Sequence, residues 1–468
     1  MAENEKKSAA ELLKEELVYQ TKNSGEVLSD KELEKADLFC EGYKSFLNMA
    51  KTEREAVDTT IAIAREKGYR EFDPRVLYKA GDKIYYNNRG KALILTTMGT
   101  EPLENGVRII ASHIDAPRID LKPRPLYEEA QLGLLKTHYY GGIKKYQWTA
   151  IPLALHGVII RRDGEAVNVA IGEREEDPVF TITDLLPHLG KDQMQRKLDD
   201  GVRGEELNVL VGGRPFRDDK ASERVKLNLL RLLNEKYGVV EADFLSAELT
   251  MVPAFKAQDL GFDRSFIGAY GHDDRVCAYT SIMAALNNPK PAATTVTVLA
   301  DKEETGSEGP TGLSSDFLRF FIEDLAAPHG VAARTVFRNS KCMSADVNAA
   351  FDPTFPDVHE KNNAAYVNRG VVVTKYTGSR GKGGTNDASA EYVAFIRSLL
   401  DNAKVQWQAG ELGKVDFGGG GTVAKYISSL GVETVDVGVA VLSMHAPYEV
   451  CSKADVYTAY RAFDAFYK

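Results

Sequence analysis

One feature narrows the choice of fold more than any other. From "AELTMVPAF" onward, short apolar runs rich in β-branched residues alternate with stretches of helical period. "TTVTVLA" reads as a strand, "TSIMAALNN" and "SSDFLRFFIEDLAA" read as helices, and "YVAFIRSLLDNA", "TVAKYISSLG" and "ETVDVGVAVLSMH" repeat the cycle. Strands interleaved with helices must bury both faces of a sheet. The expectation is an α/β fold, a three-layer α/β/α sandwich around a mixed sheet.

The rest of the chain does not fit that rhythm throughout. "SAAELLKEELVYQ" and "KTEREAVDTTIAIAREKGY" predict helices near the start, with Gly68 as a stop. "KIYYNNRGKALILTTMG" predicts a hairpin turning at Asn87-Asn88, and "GVRIIASHIDAP" a strand ending in His113 and Asp115. From 117 to 245 the character changes to short strands such as "PLALHGVII" and "AVNVAIG", an acidic loop "EREEDP", and a single helix, "ASERVKLNLLRLLNEKYG". A chain of 468 residues is long enough for two or three domains. The division expected is one α/β domain from 1–116 and 246–468, interrupted by a β-rich insertion at 117–245.

Charged residues recur at one kind of place, the C-terminal tip of an apolar strand, where open α/β sheets put their sites. His113 and Asp115 follow "VRIIAS", Asp273 and Asp274 follow "FIGAYGH", Glu303 and Glu304 follow "VTVLADK", Asp346 follows "SKCMSA", and His445 follows "VGVAVLSM". Packing alone does not call for adjacent carboxylates, because repulsion and desolvation both oppose them. Taken singly, each has a plain reading as a helix cap, a solvated turn or a hydrogen-bonded histidine. Together they predict a site of imidazole and carboxylate donors, which suits zinc and also manganese or cobalt. A centre of two divalent ions sharing a hydroxide would be hydrolytic.

Composition removes several classes. A net charge of −9 argues against nucleic-acid and anionic-membrane partners. Cys40, Cys277, Cys342 and Cys451 are scattered, which argues against a disulfide framework or a thiolate zinc site. The start, "MAENEKKSAAELLKEELVYQ", has no apolar leader core, and no apolar run is long enough to cross a bilayer. A cytoplasmic protein is the expectation.

The motifs "SHIDAPRIDLKPRPLYE", "YYGGIKKYQW", "LLPHLGKDQ", "DDRVCA", "DKEETGSEG", "SADVNAAFDP" and "VDVGVAVLSMHAPYEV" resemble, in order and spacing, the M18 metalloaminopeptidases. The resemblance implies a zinc-dependent exopeptidase, with a catalytic α/β domain interrupted by a dimerisation domain, assembled as a tetrahedral dodecamer built from dimers. It implies two metal ions per subunit, one on His113 and Asp346 and the other on Glu304 and His445. An aspartate of "HDDR" would bridge them. Upstream matching favours Asp273 and matching of the following helix favours Asp274; Asp273 is adopted. Glu303 would be the general base, with Asp115 orienting His113. His188 would serve a neighbouring subunit's site, although a histidine satisfied within the β-rich region is the plainer reading from sequence. Gly420, Gly421 and Thr422 would line the substrate pocket; a simple loop reads equally well.

Two positions depart from relatives selective for acidic N-terminal residues. Asn348 stands at a usual histidine position, and Thr374 falls on a lysine position, with Lys375 one residue on. A neutral or hydrophobic preference is expected. The rival readings are a related deacylase or carboxypeptidase, or a catalytically silent assembly protein of the same fold. Acids outnumber bases at the strand tips, which favours binding a substrate's ammonium over a carboxylate.

Overall fold

The computed structural model describes residues 7–468, so the leader reading, which rests partly on residues 1–6, falls partly outside it. Its largest element is a nine-stranded sheet. The order is Arg70–Glu71, Lys83–Asn88, Ala92–Thr97, Thr295–Ala300, Arg108–His113, Lys341–Ser344, Glu433–Gly438, Val371–Thr374 and Trp407–Ala409. The sheet is mixed. Arg108–His113 runs parallel to both neighbours and Ala92–Thr97 antiparallel to both, whereas Val371–Thr374 is antiparallel to Glu433–Gly438 and parallel to Trp407–Ala409.

Side chains alternate between two apolar layers, as a strand's period of two requires. Ile110, Leu299 and Met343 face Asp30–Met49, Glu53–Glu66, His272–Asn287, Ala390–Asn402 and Lys453–Tyr467. Ile109, Ala111, Val298 and Cys342 face Phe317–Ala326, Ala333–Asn339 and Ala424–Ser428. This is the α/β/α sandwich that the alternation predicts. Its continuous apolar strands follow from burial on both faces.

A second sheet of seven antiparallel strands has the order Ala166–Ile171, Leu153–Ile160, Ala247–Pro253, Arg118–Glu129, Leu132–Tyr140, Val209–Gly212 and Thr181–Ile182. The helix Arg224–Tyr237 packs on it through Leu229, Leu230 and Leu233. A third sheet joins Gln258–Leu260, Phe266–Ala269, Glu449–Ser452, Ala440–Leu442 and Asn348–Ala349.

Two local readings need correction. The hairpin does not turn at Asn87-Asn88: both residues are in the strand, and Asn88 pairs with Ala92. The reversal falls on Arg89 and Gly90, both with positive φ, and the Asn87 side chain accepts the Gly90 N–H. Ala247–Pro253, read as the start of the returning α/β region, pairs with Leu153–Ile160 and Arg118–Glu129. The seven-stranded sheet therefore extends one strand beyond residue 245. An apolar run alone does not say which sheet will take it. Among the described residues, all four cysteines are buried and unpaired, and no helix is long and apolar enough to cross a membrane.

Candidate metal centre

Thr295–Ala300, Arg108–His113 and Lys341–Ser344 lie side by side and parallel, with Ala300 level with His113. Their C-terminal ends deliver Glu303 and Glu304, His113, and Asp346 to one end of the sheet. After Ala300 the chain turns sharply. Lys302 has φ of 67°, its carbonyl accepts the Ser307 N–H at 2.7 Å, and the Thr311 hydroxyl ties down Asp301 at 2.6 Å. This turn presents Glu303 and Glu304 in a short 3-10 segment.

Asp273 and His445 arrive by another route. They follow Phe266–Ala269 and Ala440–Leu442, both strands of the five-stranded sheet. The expectation of equivalent positions on one sheet is therefore only partly met: two sheets converge on the centre. Phe266–Ala269 and Ala440–Leu442 both pair with Glu449–Ser452, which brings their ends together.

The side chains form two donor groups with one shared member. His113, Asp273 and Asp346 offer atoms all within 4.8 Å of one another, as do Asp273, Glu304 and His445. One oxygen of Asp273 lies 3.2 Å from His113 Nε2 and the other 3.1 Å from His445 Nε2. Asp274, joined to Asp273 by a cis peptide, turns elsewhere: its carboxylate accepts the His113 backbone N–H at 3.2 Å. Glu303 belongs to neither donor group, yet its carboxylate is 3.9 Å from His113 Nε2.

Asp115 orients this side of the centre. It accepts the backbone N–H groups of Glu303 at 3.1 Å and Glu304 at 3.2 Å, and the Tyr140 hydroxyl at 2.8 Å. Its carbonyl and carboxylate lie 3.1 and 3.3 Å from His113 Nδ1, which leaves Nε2 facing Asp273. Glu449 does the equivalent on the other side. It accepts the backbone N–H groups of His445 at 2.7 Å and Asp273 at 3.1 Å. The Gly142 carbonyl accepts from His445 Nδ1 at 2.8 Å.

The electrostatics are those of crowded, buried acids. Burial pushes Glu303 up to about 7, against the pull of His113 and aided by Asp115 and Asp273. Burial likewise raises Glu304 and Asp346. It would lower the imidazoles, but the facing carboxylates outweigh it, raising His113 and bringing His445 to about 10. Glu304 also keeps a buried oxygen with no hydrogen-bond partner. Mixed imidazole and carboxylate donors, more acids than bases, and an orphaned carboxylate oxygen suit hard or borderline divalent cations, which turn such repulsion into attraction.

A family model described as "Aminopeptidase I zinc metalloprotease (M18)" matches residues 46–467. A probable M18 family aminopeptidase 1 from Clostridium acetobutylicum is 48% identical over 459 residues, covering 96% of this chain and 99% of that one. The chain belongs to the M18 family. It is accordingly a metal-dependent aminopeptidase, a peptide hydrolase. The crystal structure of the M18 aminopeptidase from Thermotoga maritima superimposes with a TM-score of 0.90 at 42% identity, covering 96% of this chain and 99% of that one. A dodecameric S. cerevisiae structure shares the fold, with a TM-score of 0.75 at 22% identity over 92% of this chain and 97% of that one.

The other expected site residues, His188, Gly420, Gly421 and Thr422, make no hydrogen bond to the cluster among the described residues. His188 is exposed on the loop before Lys191–Met194, with no hydrogen bond to the cluster. The Gly420 carbonyl accepts the Gly378 N–H at 2.6 Å, and Thr422 is buried beside Asp436. Among the described residues, no hydrogen bond links Gly420, Gly421 or Thr422 to the cluster. Sequence reasoning assigned no role to Glu449, Tyr140 or Gly142, although all three lie within the M18-like motifs "HAPYEV" and "YYGGIKKYQW".

Proposed function

We propose that this M18 enzyme removes neutral or apolar N-terminal residues from peptides, using two divalent cations, zinc in the first instance. His113 and Asp346 would hold one, Glu304 and His445 the other, and Asp273 both. The observation that carries this reading is the Asp273 carboxylate, whose two oxygens each face a different histidine. Bound cations acidify a water and polarise the scissile carbonyl. Glu303, free of both donor groups, takes the proton of the attacking water on a carboxylate oxygen and returns it to the leaving amine nitrogen. Asp115 and Glu449 keep the ligand backbones in place while charge moves. The surrounding carboxylates favour a substrate's free ammonium.

The pocket chemistry supports a neutral preference. Asn348, two residues past Asp346, donates to the Thr374 hydroxyl at 2.8 Å, and both are buried. Lys375 is paired with Asp387. No cation at these positions is left to receive an acidic side chain.

A dodecamer built from dimers of the seven-stranded unit is the assembly we favour, with His188 reaching a neighbouring copy to hydrogen-bond the substrate carbonyl. The exposed apolar residues Leu185, Leu186, Leu189 and Met194 around it support a buried contact. Four unpaired cysteines suit a reducing compartment, and we place the enzyme in the cytoplasm.

The deciding experiment pairs metal analysis with hydrolysis of Leu-, Met-, Asp- and Glu-p-nitroanilide, with and without chelator. About two metals per chain and chelator-sensitive release of Leu or Met are expected. Faster release of Asp or Glu would overturn the preference. Metal without hydrolysis of any free-amine substrate would indicate a deacylase or carboxypeptidase.

A further inference from the structure

The strand Leu132–Tyr140 of the seven-stranded sheet ends against the metal centre, and the turn after it touches both sides. The Tyr140 hydroxyl donates to Asp115, the residue that orients His113. Two residues on, the Gly142 carbonyl fixes Nδ1 of His445. Between them Gly141 lies against Glu304. A Cβ there would sit 3.3 Å from both Glu304 Oε2 and the Pro117 side chain, and its φ of +75° disfavours any other residue.

Tyr140 is itself held. The Arg118 guanidinium lies 4.0 Å over its ring, and Arg118 is fixed by Glu53 at 3.0 Å and Asp120 at 2.8 Å. Glu53 opens a helix of the α/β sandwich, whereas Arg118, Asp120 and Tyr140 belong to the antiparallel sheet. The turn is thus fastened to both units.

Resting on the metal-site reading above, we infer that Tyr140–Gly142 is a positioning turn that sets the orientation of His113 and His445 together. It makes tight metal binding depend on the antiparallel sheet being docked against the sandwich. Tyr140 acts through Asp115 and Gly142 through a backbone carbonyl; neither needs to touch substrate.

The test uses the full-length protein, stripped of metal and titrated with Co²⁺ against a chromophoric chelator. Tyr140→Phe should weaken Co²⁺ binding about tenfold or more and alter the visible absorption of the bound ion, as loss of an outer partner of a ligand does. Gly141→Ala should do the same through Glu304 and keeps the inference open to failure should Tyr140→Phe not fold. Tyr139→Phe, at the half-exposed neighbour, should match wild type. Wild-type affinity and spectrum in Tyr140→Phe would overturn the inference, even with a lowered melting temperature, because that result makes Tyr140 merely structural. Failure of the unmutated protein to take up Co²⁺ would instead overturn the metal-site reading on which it rests.

Discussion

Asp115 and Glu449 brace the centre from opposite sides: Asp115 accepts the backbone N–H groups of the adjacent Glu303 and Glu304, and Glu449 those of Asp273 and His445. Glu449→Gln keeps one acceptor and turns an N–H donor toward the other amide. It should cost about 1–3 kcal/mol in chemical denaturation, the penalty for a buried unmatched donor. The two adjacent aspartates separate by the same reasoning. On the proposed two-cation site, Asp273→Asn should lose both metals, whereas Asp274→Asn, which sits in neither donor group, should retain measurable binding in a metal titration. Glu303→Gln should keep its metal and lose about 10²–10⁴ in kcat on Leu-p-nitroanilide. The charged residues of the centre were legible in the sequence because adjacent acids at strand ends have no packing rationale. Glu449 was not: its partners are backbone amides, one of them 176 residues away, and no side-chain pattern records that.

At the scale of elements, close approach matters as much as charge. A Cβ on Gly438 would meet the Asp346 carbonyl oxygen at 1.8 Å, so the end of Glu433–Gly438 sets where Asp346 lies. Gly438→Ala should destabilise by about 1–3 kcal/mol and weaken metal retention, seen as a smaller rise in melting temperature on adding metal. The helix Glu53–Glu66 meets the antiparallel sheet through His156, which bonds Glu55 at 2.7 Å and Glu173 at 3.1 Å, with Lys51 and Lys256 beside Glu173. Burial would raise the Glu173 carboxyl, but His156, Lys51 and Lys256 hold it at about 2, below its ordinary 4.5. Its contribution is therefore full above about pH 4.5 and is lost as pH falls toward 2. The melting-temperature gap between wild type and Glu173→Gln should shrink across that range. Periodicity revealed the sandwich because burial on both faces writes itself into continuous apolar strands. It misassigned Ala247–Pro253 because its strand partners, Leu153–Ile160 and Arg118–Glu129, lie far back in the chain and leave no local trace, and it missed the Arg89-Gly90 turn because the asparagines before it are equally good turn formers.

For the whole molecule, the proposed assembly predicts that one copy completes another. Co-refolding inactive Glu303→Gln chains with inactive His188→Ala chains should restore activity, since some sites then pair an intact base with an intact neighbouring histidine. If His188 works within its own chain, the mixture would stay inactive. His188→Ala alone should bind metal normally, because His188 is in neither donor group. The cluster itself draws on distant parts of the sequence, from His113 at the end of a strand in one sheet to His445 in the turn between two strands of another. A chain still being made on the ribosome holds no complete ligand set until His445 has emerged and the five-stranded sheet has closed. A chain stopped after Leu442 has the first donor group, His113, Asp273 and Asp346, but lacks His445 of the second, and should digest nothing. On the proposed two-cation site, synthesis order would act as a safety catch, with no cutting of neighbouring chains before folding is finished.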